Sequence, residues 1–265
     1  MVWLIGVVVN ARDEEKTIGK CLESLKKQTV RLFLVVVNDG SLDATGEVAS
    51  RYADVVVDLP RHEESWAGKP ELAKVINAGL DVLKKEDLAY VMISGADAVY
   101  PSNYVGELVS RMENRGVVLA SGVAEGEFSR SWSPRGCGRV IDAEWFRSVG
   151  FKYPENYGFE VYLVYKALSQ GKKVTVFQDL KFRLLRGTRL SKQKLYLWGK
   201  GMKALNYWWL YAFGRTVLTG LRHPVGGYLM LKGYLSKVSL YDDIKKFVNA
   251  FQKRVFFERL SEVLF

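Results

Sequence analysis

Cysteine and histidine are scarce in this sequence. Among its 265 residues there are two cysteines, Cys21 and Cys137, and two histidines, His62 and His223. Two cysteines cannot build the disulfide framework of a small secreted protein, and none of these residues has the spacing of a zinc site. We therefore expect a protein of a reducing compartment, with one Cys21–Cys137 bridge as the alternative left open.

Long apolar runs are also missing. The most apolar stretch of the C-terminal part, residues 204–214, is followed by Arg215, whereas a membrane-spanning helix needs roughly 18 apolar residues. The first apolar run has no basic segment before it and turns acidic at Asp13, unlike a secretory signal peptide. The sequence therefore predicts a cytoplasmic protein, and it contains no internal repeat.

Basic residues are concentrated in the C-terminal part, and the formal net charge is +10. Residues 1–188 contain 25 Lys and Arg and 25 Asp and Glu, whereas residues 189–265 contain 14 and 4. The second segment also holds 15 of the 34 Phe, Trp and Tyr residues. We therefore predict a domain over residues 1–188, followed by a basic, aromatic-rich helical region over residues 189–265.

Apolar runs alternate with segments of helical periodicity in the first 188 residues. Buried strands are predicted at residues 2–9, 32–37, 55–59, 88–93, 117–123 and 172–177. Helices are predicted between them, at residues 18–28, 43–52, 72–83, 104–112 and 159–170. This alternation indicates an α/β fold, with a mainly parallel, doubly wound sheet and helices on both faces.

Polar clusters follow three of these strands, at residues 10–14, 38–41 and 94–97. In a parallel sheet the carboxyl ends of the strands meet along one edge, which is where such sheets bind ligands. A single cluster would be ordinary loop chemistry, but three clusters with carboxylates indicate a site. Asp97 is the central candidate, because small neighbours at Ser94, Gly95 and Ala96 allow a bulky ligand to approach the backbone.

The sequence has neither the Gly-x-Gly-x-x-Gly turn of dinucleotide-binding proteins nor a Walker loop. Carboxylates without a phosphate-binding loop favour a ligand held through a divalent cation, with Asp97 as the protein ligand. Mg²⁺ and Mn²⁺ bind in this way, taking their remaining oxygens from a diphosphate and water. A nucleotide-diphosphate sugar fits this description.

Four segments resemble motifs of the family-2 glycosyltransferases, in the form found in archaeal-type sequences. Residues 8–18 resemble the opening Pro-Ala-x-Asn-Glu-Glu-x-x-Ile motif, with Asn10 in place of Pro and Asp13 in place of Asn. Residues 36–45 resemble Val-Asp-Asp-Gly-Ser-x-Asp-x-Thr, the most specific of the four. Residues 68–79 resemble Gly-Lys … Leu-Asn-x-Gly, and residues 95–97, Gly-Ala-Asp, occupy the place of the Asp-x-Asp metal motif.

This resemblance implies a GT-A fold and inverting transfer of a sugar from a UDP- or GDP-sugar. It assigns the nucleoside to Asp39 and Mg²⁺ or Mn²⁺ to Asp97, the second acid of the metal motif, while Gly95 replaces the first. Residues 1–123 then form the nucleotide-sugar half and residues 124–188 the acceptor half. The residues expected to bind the nucleotide-sugar are Asn10, Ala11, Arg12, Glu14, Asp39, Lys69, Ser94, Gly95 and Ala96.

Glu160 is the candidate catalytic base. It lies in the first turn of a predicted helix, where an acid is also favoured by the helix dipole. Phe159-Glu160 resembles the Glu-Asp pair whose acid is the base of inverting transferases, which implies that Glu160 deprotonates an acceptor hydroxyl. If the acceptor were a polyprenyl phosphate, no base would be needed, and Glu160 would only position a substrate group.

Basic residues near the C-terminal side suggest phosphate and membrane contacts. Arg183, Arg186 and Arg189 form either a phosphate clamp or a solvated turn, and Arg186 is the one that matches an Arg in related sequences. Residues 195–218 mix Lys and Arg with Trp, Tyr and Leu, which is typical of interfacial helices. We predict peripheral attachment to the cytoplasmic face of a membrane and a glycan or lipid-linked acceptor, with packing against the catalytic domain as the alternative.

Two other functions fit parts of the sequence. A catalytically inactive scaffold would keep nucleotide-sugar binding after losing the first metal acid at Gly95. A nucleic-acid-binding protein would use the basic and aromatic residues as a single-strand platform. The second is disfavoured because no such motif is present and the acidic crevice would repel phosphates, so we expect no nucleic-acid partner.

Overall fold

The computed structural model describes residues 4–187 and 191–264. The chain forms two compact units. The first consists of Met1–Ser65, Ala73–Tyr153 and Gly171–Gly187, and the second of Trp66–Leu72, Pro154–Gln170 and Thr188–Phe265.

The first unit is built on an eight-stranded sheet. Its strands are β1 (Ile5–Ala11), β2 (Leu32–Asp39), β3 (Val55–Leu59), β4 (Tyr90–Gly95), β5 (Ala98–Val99), β6 (Val117–Ala124), β7 (Arg139–Asp142) and β8 (Lys173–Leu184). They are ordered β3-β2-β1-β4-β7-β6-β8-β5. Parallel ladders join β1 to β2 and β4, β2 to β3, and β6 to β8. The predicted α/β class with a mainly parallel sheet is therefore confirmed.

Five helices connect these strands. They are α1 (Ile18–Lys26), α2 (Thr45–Ser50), α3 (Leu72–Leu83), α4 (Tyr104–Arg115) and α5 (Ala143–Ser148). Their apolar residues recur at helical spacing, and α1 accordingly buries Ile18, Cys21, Leu22 and Leu25. Strands β1, β2 and β4 are apolar on both faces because helices cover both faces of the sheet.

Helix α3 approaches the sheet closely at Gly79. A Cβ atom there would lie 2.6 Å from Val8 Cγ1 and 2.9 Å from Val37 Cγ2, so only glycine fits. Two residues earlier, the Asn77 side chain donates to the carbonyl of Tyr153 and accepts from its N–H, both at 2.8 Å. The Leu-Asn-x-Gly motif is thus explained by packing and backbone hydrogen bonds.

Four strands differ most from the sequence prediction, and one of them is the two-residue strand β5, which was not predicted. The first strand was predicted over residues 2–9, of which residues 2 and 3 lie outside the described part, and in the structure it is Ile5–Ala11. Strand β7 was not predicted, and it lies antiparallel between β4 and β6. Strand β8 continues to Leu184 and pairs with β6 and then β5, so Arg183 lies in a strand and not in a turn.

The second unit is helical. Its helices are α6 (Phe159–Ser169), α7 (Lys192–Ala204), α8 (Trp209–Arg222), α9 (Pro224–Tyr234) and α10 (Lys245–Leu264), with a 3₁₀ turn at Asp242–Ile244. A Cβ atom on Gly199 would lie 2.0 Å from the Met230 carbonyl oxygen, and one on Gly227 would lie 2.6 Å from Gly220 Cα. The backbones of α7 and α8 therefore pack directly against α9. None of the helices in the described residues is both long and apolar enough to cross a membrane.

Candidate active site

The three polar clusters lie at the ends of three neighbouring strands. Strand β1 lies between β2 and β4, with Ala11 opposite Asn38 and Asn10 opposite Gly95. All three strands are parallel, so their carboxyl ends reach the same edge of the sheet. The predicted adjacency of these clusters is confirmed.

The Asp39 carboxylate at the end of β2 is nearly buried and has two cationic or potentially cationic neighbours. Asp39 is 5% exposed. His62 Nε2 lies 3.0 Å from both of its carboxylate oxygens, and Arg12 Nη1 lies 3.7 Å from Oδ2. Arg12 Nη2 also donates to the His62 carbonyl at 2.5 Å. The Asp39 carboxylate, which can accept several hydrogen bonds, is thus held in place at the edge of the crevice.

His62 was not predicted as a site residue. It follows β3, which is parallel to β2, so the end of β3 lies at the same sheet edge. Polar clusters were considered only after β1, β2 and β4, and the segment after β3, which reads Pro-Arg-His-Glu-Glu over residues 60–64, was left out. The position after a fourth parallel strand was the signal that could have found it.

Asp13 links the first and second polar clusters. Its backbone is left-handed, with φ of 53°, a conformation that Asn and Asp adopt more readily than other side chains. Arg61 Nη1 contacts both carboxylate oxygens of Asp13 at 3.1 Å, and the Leu42 N–H donates to Oδ1 at 2.8 Å. The hydrogen bonds from Arg61 and Leu42 lower the pKa of Asp13. Asp at the motif's Asn position is therefore explained by local structure.

The Asp97 carboxylate faces Arg186. Arg186 Nε lies 3.5 Å from Asp97 Oδ2, and the same guanidinium is paired with Glu14 Oε1. The Leu185 N–H donates to the Asp97 carbonyl at 2.8 Å, and Leu184 pairs with Ala98 in the β5–β8 ladder. Backbone pairing thus places Arg186 beside two carboxylates, one after β1 and one after β4. The structure brings together Glu14, Asp97 and Arg186, which the sequence analysis selected separately.

Two thiols bracket Gly95. Cys21 Sγ donates to the Gly95 carbonyl and Cys137 Sγ accepts from its N–H, each at 3.4 Å. Both cysteines are free, and burial raises their pKa, that of Cys21 to about 12. Ser94 is fully buried, with its hydroxyl bonded to the Tyr100 hydroxyl at 2.8 Å. Its side chain therefore supports the end of β4 from inside the core.

Two predicted site residues belong to the second unit. Lys69 lies in a turn closed by its N–H donating to the Trp66 carbonyl at 2.9 Å, after Gly68 with φ of 76°. Glu160 is the second residue of α6, which begins after Gly158 with φ of 75°. Arg189 lies outside the described residues.

Comparison with known proteins identifies the family. The family model described as Glycosyl transferase family 2 matches residues 6–167. The chain belongs to glycosyl transferase family 2. It is therefore a glycosyltransferase, and the match covers the three strand ends and Glu160.

Individual relatives agree with this family. The 4,4'-diaponeurosporenoate glycosyltransferase of Staphylococcus aureus (strain USA300) is 42% identical over 66 residues, which are 24% of this chain and 18% of that protein. The match thus spans under one fifth of that relative's length. Among solved structures, the mannosyltransferase PcManGT from Pyrobaculum calidifontis, in complex with GDP-Man and Mn²⁺, has a TM-score of 0.60 at 18% identity, covering 88% of this chain and 71% of that one. S. aureus TarS 1-349 with UDP-GlcNAc has a TM-score of 0.56 at 17% identity, covering 75% and 65%. These likenesses show the GT-A fold.

The family-2 site has one carboxylate of the metal motif. Asp97 offers hard oxygen ligands, and its side chain is 21% exposed. The described residues contain no group of three His, Cys, Asp or Glu side chains that could hold a metal by themselves. They fit a Mg²⁺ or Mn²⁺ ion that takes most of its oxygens from a bound diphosphate and water. They do not fit an ion held by protein ligands alone.

Proposed function

We propose that this glycosyltransferase moves a sugar, with inversion, from a nucleotide-diphosphate sugar to a glycan or lipid-linked acceptor. The observation that carries the proposal is that Asp39 and Asp97 lie at the ends of β2 and β4, separated only by β1. This spacing suits an elongated ligand with a nucleoside at one end and a diphosphate at the other. Asp39 would accept hydrogen bonds from the nucleoside, and the Asp97–Arg186 region would hold the diphosphate.

The reaction is a direct displacement at the anomeric carbon. The acceptor oxygen forms a bond to that carbon as the bond to the diphosphate oxygen breaks, and the nucleoside diphosphate leaves. Glu160 takes the proton of an acceptor hydroxyl, a role that rests on its resemblance to the family's base. A polyprenyl phosphate acceptor is already an anion and would need no such proton transfer. When bound, a divalent cation supplies charge neutralisation on the leaving diphosphate.

We further propose that Asp97 would hold a divalent cation in exchange for its contact with Arg186. The Arg186 guanidinium neutralises Asp97 and Glu14. Arg186 is 58% exposed, whereas Glu14 and Asp97 are 12% and 21% exposed, so the arginine has room to move away while the acids remain. The Arg186 guanidinium would then be available to donate two hydrogen bonds to the diphosphate.

Replacing Arg186 by Ala is expected to change the binding of cation and nucleotide in opposite directions. Mn²⁺ affinity of the nucleotide-free protein should rise by about two- to fivefold, because exposed ion pairs contribute up to about 1 kcal/mol. Nucleoside-diphosphate affinity should fall by about tenfold or more, because a charge-assisted hydrogen bond is removed. Electron paramagnetic resonance of free Mn²⁺ and calorimetry measure the two affinities. Arg183→Ala, in β8, is the control, and an unchanged Mn²⁺ affinity in Arg186→Ala would refute the exchange.

A thermal-shift screen tests the donor site. UDP, GDP and their sugars, each with and without Mn²⁺, are added to the wild-type protein. At least one nucleotide should raise the melting temperature, by an amount that follows RT ln(1 + [L]/Kd). If every nucleotide left the melting temperature unchanged, the donor site would be wrong. A shift without sugar transfer to any acceptor would favour the inactive scaffold.

A further inference from the structure

We infer that α8 and the start of α9 form a docking surface for an anionic lipid bilayer. This surface, the α8 face, is defined by exposed apolar side chains: Trp209, Phe213, Val217, Leu218, Leu221, Val225 and Tyr228. The inference deepens the proposed function, because it names the surface at which a lipid-linked acceptor would be met. The partner of this surface is a membrane and not a protein or a nucleic acid.

The α8 face follows the helix geometry. Trp209, Phe213, Val217 and Leu221 are spaced by four residues, so successive side chains are offset by about 40° and together form an inclined stripe along the helix. They are 62%, 51%, 44% and 78% exposed. Tyr211, Ala212 and Thr216 on another side of α8 are buried. The helix is therefore apolar on the side that packs and also on the side that meets solvent, an arrangement that needs a second partner.

The helix packing within the second unit uses other positions. Helix α9 touches α8 through Gly227 and Gly220 and touches α7 through Gly233 and Gly199, with backbone against backbone. This packing accounts for four glycines in the three helices. It leaves the large apolar side chains of the α8 face exposed in the folded chain.

The charge around the α8 face complements an anionic bilayer. Residues 180–241 contain 12 Lys and Arg and no Asp or Glu. Arg215, Arg222 and Lys232 are exposed or partly exposed on α8 and α9 themselves. Two copies of such a face would repel each other, because neither offers an acid to pair with the other's basic residues. Anionic lipids supply that opposite charge together with an apolar layer.

The length of α8 indicates how it would lie. With 14 residues and a rise of about 1.5 Å per residue, it extends about 21 Å, which is less than the roughly 30 Å hydrocarbon core of a bilayer. A helix of this length with basic residues beside its apolar face lies in the plane of the interface. Its apolar side chains then enter the headgroup and acyl boundary while Arg215 and Arg222 remain at headgroup level.

Vesicle sedimentation with the full chain tests this surface. The wild-type protein should pellet with vesicles of phosphatidylcholine and phosphatidylglycerol at 3:1 and much less with phosphatidylcholine alone. Binding should weaken as salt rises, with the partition coefficient falling by about fivefold for each basic residue whose attraction to the lipid is screened. Tryptophan fluorescence should shift to shorter wavelength on binding, because Trp209 leaves water. Equal binding to both vesicle types, or none, would overturn the inference.

Matched variants locate the membrane-binding surface. The double variant Phe213→Ser/Leu221→Ser should lower the partition coefficient by about tenfold or more, whereas Phe128→Ser, at an 82% exposed position of the first unit, should leave it unchanged. Both variants alter exposed side chains, and equal melting temperatures confirm that they fold. If the double variant abolished concentration-dependent dimerisation or salt-sensitive RNA binding, with no effect on vesicles, a second copy or a nucleic acid would be the partner instead. Sedimentation needs no nucleotide, so its result is independent of the donor-site screen.

Discussion

Replacing Glu160 by Gln is expected to slow sugar transfer to a hydroxyl acceptor by about 10²- to 10⁴-fold, the usual contribution of a positioned general base. Glutamine has nearly the same shape and still accepts a hydrogen bond, but it cannot take the acceptor proton. Nucleotide affinity should be unchanged, because the donor is assigned to the strand ends of the first unit. Initial rates of transfer and calorimetric nucleotide titrations measure the two effects separately.

A matched control for this variant exists in the first unit. Glu144 is the second residue of α5, as Glu160 is the second residue of α6. Glu144→Gln removes an acid from the same position of a helix, so it reproduces any loss of helix-dipole stabilisation. Transfer should be normal in Glu144→Gln. If Glu160→Gln also retained full activity, Glu160 would have no role as base, and an acceptor that is already an anion would be indicated.

Replacing Asp39 by Ala is expected to abolish the nucleotide-induced thermal shift. A charge-assisted hydrogen bond contributes about 1.5–3 kcal/mol, so affinity should fall by at least about tenfold. The variant also leaves Arg12 and His62 without their shared carboxylate partner, which should lower the melting temperature of the nucleotide-free protein. Asp39→Asn keeps the volume and one acceptor, and its affinity should lie between those of Ala and the wild type.

Asp58→Ala controls for the loss of an acid at this sheet edge. Asp58 is an exposed residue of β3, and its carboxylate accepts from Asn38 Nδ2 at 2.8 Å. The Asp58 carboxylate thus hydrogen-bonds to β2, the strand that carries Asp39, but it takes no part in the pairing of Asp39 with Arg12 and His62. Normal nucleotide binding is expected in this variant. Nucleotide binding that survived in Asp39→Ala would remove the nucleoside role of Asp39.

The sequence predicted the parts of the fold in which burial is uniform. Strands β1, β2 and β4 are continuous apolar runs because helices cover both faces, and their ends were correctly expected to be neighbours. Strand β8 was cut short because exposed Gln178 and Asp179 interrupt its pattern, and four-residue β7 is too short for a periodicity signal. Pairing with neighbouring strands determines the extent of both strands. Strand β7 is held between β4 and β6, and β8 pairs with β6 across a register shift.

The site was predicted in the same uneven way. Asp39 and Asp97 could be selected because each follows an apolar run. His62 was not selected, because its one signal is its position after the parallel strand β3, and nothing in its own segment indicates that it reaches Asp39. The pairing of Arg186 with Glu14 and Asp97 depends on the β5–β8 ladder, in which β5 is two residues long. Such pairings between distant segments are set by tertiary structure and leave no local pattern.

Asn77 is a motif residue whose side chain positions the protein's own backbone. Both polar groups of its side chain are already engaged by the backbone of Tyr153, the last residue before the chain passes from the first unit into the second at Pro154. Substitution of Asn77 would remove both of these hydrogen bonds at that exit point. An activity defect in an Asn77 variant would therefore indicate a displaced backbone at Tyr153. The asparagine of the motif holds the polypeptide in place at this point.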